Sequence, residues 1–398
     1  MKKILWISPI APYDSIPNAG GKDENYYIKS IAKDNDVTLI SFCRFDEINK
    51  INYEGYNIKP YIYEYKLDLK SRVVRNIKFD LLTKVNPFDK YCNFVSGVLK
   101  DFILKTIIQL KKNDYYPDVI ILDWTQCILL IEDIKKIYDN SKYIGIEVDV
   151  SFLGIYRKLC LEQENTYKRR KYNKFKKIEL NALRQLDLII CNNNKDNRLL
   201  IDNGICNQSI KTINVFSTSH KDFLRKNIKK NTVFFFGAME RPENYKSAIW
   251  FINNVMKDLQ DIDFLIIGGN PVDELKKYES ENVHILGYVK DIREYFESSL
   301  CMVAPLVAGA GIKVKVLEAM SAGVPVLTNE IGIEGIYARK NIEYIYCKNP
   351  NDYINSIHML QQNEKALRDI SINCRKFYYN KYDNIKSAEN FNKILNSI

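Results

Sequence analysis

Short apolar runs rich in β-branched and aromatic residues alternate with polar, helix-like stretches along all 398 residues, and this alternation leaves few folds open. Parallel strands need a crossover of a dozen or more residues, usually a helix, so such a chain stacks as βα units around parallel sheets. The spacing predicts strands at Ile4–Ile7, Val37–Phe42, Val119–Leu122, Tyr143–Ile146, Leu188–Cys191 and Thr212–Val215. A second series follows at Val233–Phe236, Phe264–Ile267, Val283–Leu286, Cys301–Ala304 and Val324–Leu327, with helices such as Lys246–Leu259 and Ile292–Ser298 between them. Two α/β domains are implied, each a Rossmann-like, doubly wound parallel sheet: residues 1–216 and residues 232–382. Ser217 to Asn231 is polar, basic and free of apolar periodicity, and reads as the linker. Residues 383–398 keep helical spacing through Ile385, Ala388, Phe391 and Leu395, a helix able to pack back on the N-terminal domain.

Composition removes several alternatives. With 46% hydrophobic and 27% charged residues the chain is too apolar for disorder, and no stretch approaches 18 consecutive apolar residues. The start, MKKILWISPIAP, reads as a first strand rather than a signal peptide. The nine cysteines form no CxxC pair and are odd in number, which fits free thiols in a reducing cytoplasm. His220, His284 and His358 do not make a His-rich metal site.

The net charge of +10 is unevenly placed. Residues 1–230 hold 40 basic and 28 acidic side chains, and residues 231–398 hold 19 and 21. The acidic partner that such an excess suggests therefore belongs with the first half.

Two segments could carry chemistry. SPIAPYDSIPNAGG, Ser8 to Gly21, follows the first strand and precedes a helix-like run, Lys22 to Lys33. Gly20 and Gly21 would let backbone approach an anionic or sugar ligand, although the pattern is not the spaced GxGxxG of dinucleotide sites. The second is CMVAPLVAGAGIKVKVLEAMSAGVPVLTNEIGIEG, Cys301 to Gly335. A strand ends near Pro305, a small-residue loop follows, and a helix begins near Lys313. Small residues at a helix start expose N–H donors, and Lys313 and Lys315 add charge beside them, a way to hold a diphosphate without metal. Glu318, one turn inside, could accept hydrogen bonds from vicinal ribose hydroxyls.

The stretch from Asn282 to Gly335 closely resembles the donor-binding half of family 4 glycosyltransferases with the GT-B fold, through Gly309–Gly311, Leu317–Gly323, Val324–Val326 and Gly332–Gly335. FFGAMERPENYKSAIWFINNVM, from Phe235, is similar to that family's first C-terminal strand, glycine turn and helix start. The resemblance is firm after Val233 and looser before it. It implies two domains facing a cleft and a retaining transfer from a nucleotide-diphosphate sugar as co-substrate, with no other cofactor. Glu318 would be the second glutamate of the family's Glu-x7-Glu motif and bind the ribose. Lys313 and Lys315 with the Gly309–Gly311 amides would hold the diphosphate, Gly237 would let the first turn approach it, and Gly20–Gly21 would close over it from the other domain.

Two departures stand out. The first glutamate of the motif is replaced by Ala310, so backbone and lysines must take over there. No histidine precedes His220, where family members place one near the reacting sugar. Glu147 and Asp149, after the strand Tyr143–Ile146, are the polar candidates for the catalytic or acceptor-orienting role, with capping as the alternative for Asp149; Glu179 adds a further acid in a later helix. Arg241 and Lys246 could also reach the diphosphate, or be surface charge. Asp261-Ile-Asp263 and Asp34-Asn-Asp36 spell the DxD of metal-dependent glycosyltransferases, but each precedes a strand as a loop would, and no metal is expected.

Finally, YKRRKYNKFKK from Tyr167 holds seven Lys/Arg in eleven residues, with Tyr167, Tyr172 and Phe175 interleaved. The choices are an anionic membrane or lipid-linked acceptor, a solvated face, or nucleic acid, and no RNA-recognition module accompanies it. The expected enzyme is a cytoplasmic, metal-independent hexosyltransferase peripheral to the inner membrane, extending a cell-envelope glycan on a lipid carrier. Alternatives are a protein-glycosylating transferase, or a catalytically weak sugar-nucleotide-binding scaffold; a GT-B epimerase would want more acid/base residues than the sequence offers.

Overall fold

The computed structural model describes residues 1–65, 89–161, 165–309 and 311–398. These form two compact units, one of Met1–Phe216 with Asn384–Ile398 and one of Ser217–Asp383.

The first unit is a seven-stranded, all-parallel sheet in the order β3-β2-β1-β4-β5-β6-β7. The strands are β1 (Lys3–Ile7), β2 (Asp36–Arg44), β3 (Ile58–Tyr65), β4 (Val119–Asp123), β5 (Lys142–Glu147), β6 (Leu188–Cys191) and β7 (Ile210–Thr212). The central strands are continuous apolar runs because helices cover both faces of a parallel sheet. Leu5, Ile7, Ile120 and Leu122 point into one core with Phe175, while Ile4, Trp6, Val119 and Ile121 point into the other with Ile28 and Phe391. Helix α1 (Ala19–Ile31) starts after Asn18, whose side chain accepts the Gly21 N–H at 2.6 Å. Helices α2 (Ser151–Leu161) and α3 (Thr166–Leu183) follow β5.

β3 is absent from the sequence reading, and its position explains why: it is an edge strand whose Lys59, Pro60 and Glu64 dilute the apolar signal. The last strand of the unit ends at Thr212 rather than running to Val215. The Asn214 carbonyl accepts instead from the Tyr27 and Ser387 hydroxyls, which takes it out of the ladder.

The second unit is a six-stranded, all-parallel sheet in the order β10-β9-β8-β11-β12-β13. Its strands are β8 (Lys229–Phe236), β9 (Asp263–Ile267), β10 (Val283–Gly287), β11 (Ser299–Ala304), β12 (Val326–Thr328) and β13 (Ile345–Tyr346). Helix α4 (Pro242–Asn254) begins four residues earlier than its apolar pattern suggests, because Pro242 occupies the first helical position. Helix α5 (Val314–Ser321) follows β11. Helix α6 (Glu364–Lys381) closes this unit, and α7 (Asn384–Asn396) belongs to the first, where Phe391 meets the Trp6 and Tyr27 rings edge-on.

Residues 217–228 carry no regular structure, yet they are tied to the second unit rather than free. The Arg225 guanidinium donates to the carbonyls of Phe296, Ser299, Leu300 and Gly323. An arginine can saturate four acceptors at once, so one side chain anchors the polar stretch.

Candidate functional site

Strands of a doubly wound sheet deliver their loops to one edge, and the C-terminal ends of β8 and β11 build a cation-rich corner there. Gly237 follows β8 directly, and its N–H donates to the Ile267 carbonyl at 3.0 Å. A Cβ on Gly237 would lie 2.7 Å from Lys315 Nζ and 2.9 Å from Asn244 Nδ2, so only glycine leaves room for both. Asn244, in the first turn of α4, donates to the Ala238 carbonyl at 2.9 Å and accepts from Lys315 Nζ at 2.5 Å. The ammonium also lies 4.6 Å from the centre of the Phe235 ring. Desolvation in this enclosure lowers the Lys315 pKa to about 7, with Glu243 opposing the shift and Lys313 adding to it.

The loop after β11 supplies the rest. Gly309 and Gly311 have φ of 129° and 66°, a region that suits glycine, and a Cβ on Gly309 would crowd Lys313 Cε at 3.1 Å. Ala310, between them, lies outside the described residues. Lys313 sits at the N-cap of α5, donates to the Gly311 carbonyl at 2.6 Å and lies 4.0 Å from Glu334 Oε2. Glu318, half-buried one turn into α5, is part of the same electrostatic neighbourhood and raises the Lys315 pKa. The corner thus gathers Gly237, Gly309, Gly311, Lys313, Lys315 and Glu318 in one unit. It can offer two ammonium groups and the first N–H groups of a helix to an anion. Arg241 and Lys246, both exposed, flank the start of α4.

Asn244 was not singled out in the sequence. Its signal was a polar side chain inside the first turn of α4, two residues after the Pro242 that starts the helix. Tyr288 was also missed: it follows β10, is 80% exposed and lies beside Gly269 at the same sheet edge.

In the first unit the predicted residues divide. Gly20 and Gly21 form the first turn of α1, and both are filled against: a Cβ would meet the Trp124 ring at 2.4 Å or Ile16 Cδ1 at 2.2 Å. Their immediate use is close packing of the loop on the end of β4. Glu147 ends β5, is fully buried and accepts from Thr125 Oγ1 at 2.6 Å. Its carboxyl also lies beside that of Glu179, and Glu179 accepts the Ser151 and Phe152 N–H groups at 2.9 and 2.8 Å, capping α2. Burial raises both carboxyl pKa values, that of Glu179 to about 8 against the opposing pull of its two N–H donors, and the neighbouring Glu179 charge adds to the rise at Glu147. Glu147 therefore faces the interior and supports α2. Asp149, two residues on, is half-buried and keeps contact with solvent.

The basic segment is α3. Phe175 is buried against Phe94, and Tyr172 packs on Tyr156, so these aromatics serve the fold. Arg169, Arg170 and Lys177 are exposed, with Tyr156 and Tyr167 about half exposed beside them. No described helix is long and apolar enough to cross a membrane, and no described group of three or more His, Cys, Asp or Glu could hold a metal ion.

Residues 230–363 match the family described as glycosyl transferases group 1. Among curated relatives, an uncharacterized 44.6 kDa protein in the cps region of Klebsiella pneumoniae is 26% identical over 167 residues, 39% of this chain and 43% of that one. The O-antigen biosynthesis glycosyltransferase WbnH of Escherichia coli is 30% identical over 151 residues, 37% of this chain and 42% of that one. The chain spans less than half the length of both relatives. The crystal structure of Anabaena HepE in complex with UDP-glucose has a TM-score of 0.69 at 13% identity, covering 100% of each chain. The fold is GT-B, and the chain resembles the group 1 glycosyl transferases.

Proposed function

We propose, taking the group 1 match of the second unit as premise, that this chain is a retaining glycosyltransferase moving a sugar from a nucleotide-diphosphate donor to a hydroxyl of a growing cell-envelope glycan. The observation that carries this reading is the Lys315 ammonium, enclosed by Asn244, Phe235 and the Gly237 turn and set beside the N-terminus of α5. A cation kept there at a desolvation cost gains most when a diphosphate arrives, and the gain is larger still as negative charge builds on the leaving diphosphate. Lys313 and the α5 N–H groups would share that charge, so no metal is required. Glu318 would hold the ribose, and Tyr288 offers an exposed ring on which the base could stack. The UDP and UDP-glucose held by Anabaena HepE make a uridine donor the first to try.

The first unit would present the acceptor. Asp149 is the acid suited to orienting its hydroxyl, since Glu147 is fully buried and accepts from Thr125. The O-antigen and cps relatives favour a lipid-carried envelope glycan as acceptor. The exposed cations of α3, with Tyr156 and Tyr167, suit an anionic membrane face, each basic side chain near the surface adding about 1 kcal/mol. Screening nucleotide sugars by thermal shift tests the donor reading. A true donor at about 100 times its Kd stabilises the fold by about 2.7 kcal/mol. No shift with any nucleotide sugar or nucleoside diphosphate would overturn it.

A further inference from the structure

The short loop that carries Asp149 is held at both ends by one hydroxyl. Val148 and Asp149 are half-buried, and they lie between the buried residues Glu147 and Val150. Thr125, itself buried, donates from Oγ1 to Glu147 Oε1 at 2.6 Å, which fixes the near end of the loop. That carboxyl oxygen can accept whether or not Glu147 is ionised. The same Oγ1 lies 2.7 Å from Ser151 Oγ at the far end. A hydroxyl has one proton, and that of Thr125 goes to Glu147, so Ser151 is the donor in this second bond. Ser151 is thus tied twice, through its hydroxyl to Thr125 and through its N–H to Glu179.

A strained neighbour puts Thr125 in that place. Trp124 has φ of 69° and ψ of 148°, a conformation that a bulky side chain rarely adopts. The positive φ turns the chain directly out of β4, so that the short helix Thr125–Ile128 begins at the sheet edge. The Trp124 N–H donates to the Ile146 carbonyl at 3.1 Å, one residue short of Glu147. Its ring closes over Gly20, where a Cβ would lie 2.4 Å from Cζ2. Such strain persists only where the surroundings over-determine it, and it clusters at functional sites.

We propose that Thr125 is a positioning residue for Asp149: its hydroxyl clamps both ends of the loop 147–151, and the strained Trp124 holds that hydroxyl in place. The inference rests on the acceptor-orienting role proposed for Asp149. Thr125 itself touches no reacting atom; it acts by fixing the backbone from which the Asp149 carboxyl projects. A misplacement of about 1 Å in an orienting group can cost about a hundredfold in rate, so releasing the loop bears on turnover. The α5 corner belongs to the other unit, and donor affinity does not depend on this clamp.

Thr125→Val keeps the side-chain shape and removes the hydroxyl, while Thr125→Ser keeps the hydroxyl. In the full chain without ligand, amide exchange over residues 148–152 is expected to be about tenfold or more faster in Thr125→Val, with β1 and β4 unchanged and Thr125→Ser within about threefold of wild type. Equal exchange in wild type and Thr125→Val, or a loss spread evenly over β4, would overturn the clamp. With UDP-glucose as donor and a detergent extract of lipid-linked glycan as acceptor, Thr125→Val is expected to lower kcat about tenfold or more at unchanged donor KM. In an Asp149→Asn background the same substitution is expected to cost less than about threefold. Equal losses in both backgrounds would show that Thr125 does not act through Asp149 and would overturn the proposal. A near-wild-type rate for Asp149→Asn would instead overturn the Asp149 reading, and the exchange data distinguish the two failures. If Thr125→Val does not fold, Ser151→Ala cuts the second hydrogen bond alone and gives the same comparison.

Discussion

Lys315 Nζ donates to Asn244 Oδ1 at 2.5 Å, joining the first turn of α5 to the first turn of α4 across the glycine that follows β8. An amide oxygen is a weaker partner than a carboxylate, so the ammonium is oriented without being neutralised. That leaves its charge for an incoming anion.

The first consequence is a pH dependence of donor binding. Desolvation lowers the Lys315 pKa to about 7, so the amine is increasingly neutral above that pH. A bound diphosphate favours the ammonium, and binding must take up a proton. Donor affinity is expected to fall by up to about tenfold per pH unit above about 7. Titration calorimetry in buffers of different ionisation enthalpy should show proton uptake at about pH 8, and none well below 7.

Gly237→Ala loads the site more than the rest of the fold. The new Cβ would lie 2.7 Å from Lys315 Nζ, the far end of a flexible side chain, and 2.9 Å from Asn244 Nδ2, so both side chains must move. The expected result is a loss of stability of about 1–3 kcal/mol by denaturant titration, together with donor affinity weakened by roughly tenfold or more.

Asn244→Ala removes the Lys315 acceptor and the donor to the Ala238 carbonyl together. Leaving such groups unpaired costs about 1–3 kcal/mol. Donor KM should rise more than kcat falls, because the residue positions the cation and touches no reacting atom.

Asp149 and Glu147 should part company on substitution. Glu147→Gln keeps the acceptor for Thr125 Oγ1 and is expected to retain wild-type stability and most of the transfer rate. Asp149→Asn should lower transfer by about a hundredfold or more if it orients the acceptor hydroxyl. Rates with saturating donor check this, and near-wild-type turnover of Asp149→Asn would remove its role.

Much of this architecture was readable because a parallel sheet buries its strands on both faces. Runs such as LWI, VIIL, VFFF and CMVA carry their assignment in composition alone. Where neighbours decide, the sequence is silent: β3 forms at the sheet edge despite Pro60, and β7 ends where Tyr27 and Ser387 claim the Asn214 carbonyl. The lysines of α5 were legible from their place after a glycine loop. That Asn244 would be their partner was not, since 71 residues separate it from Lys315. The burial of Glu147 was hidden for the same reason, its neighbours Thr125 and Glu179 arriving from two other elements.

The most direct test of the central claim is release of nucleoside diphosphate from a nucleotide sugar, followed with the wild-type chain and with Lys315→Ala and Glu318→Ala. Steady turnover of one donor, lowered by about a hundredfold or more in both variants while their folds persist, is the expected result. Turnover unchanged in both variants would contradict the assignment of the α5 corner, and tight donor binding with no turnover under any acceptor would contradict the enzyme itself.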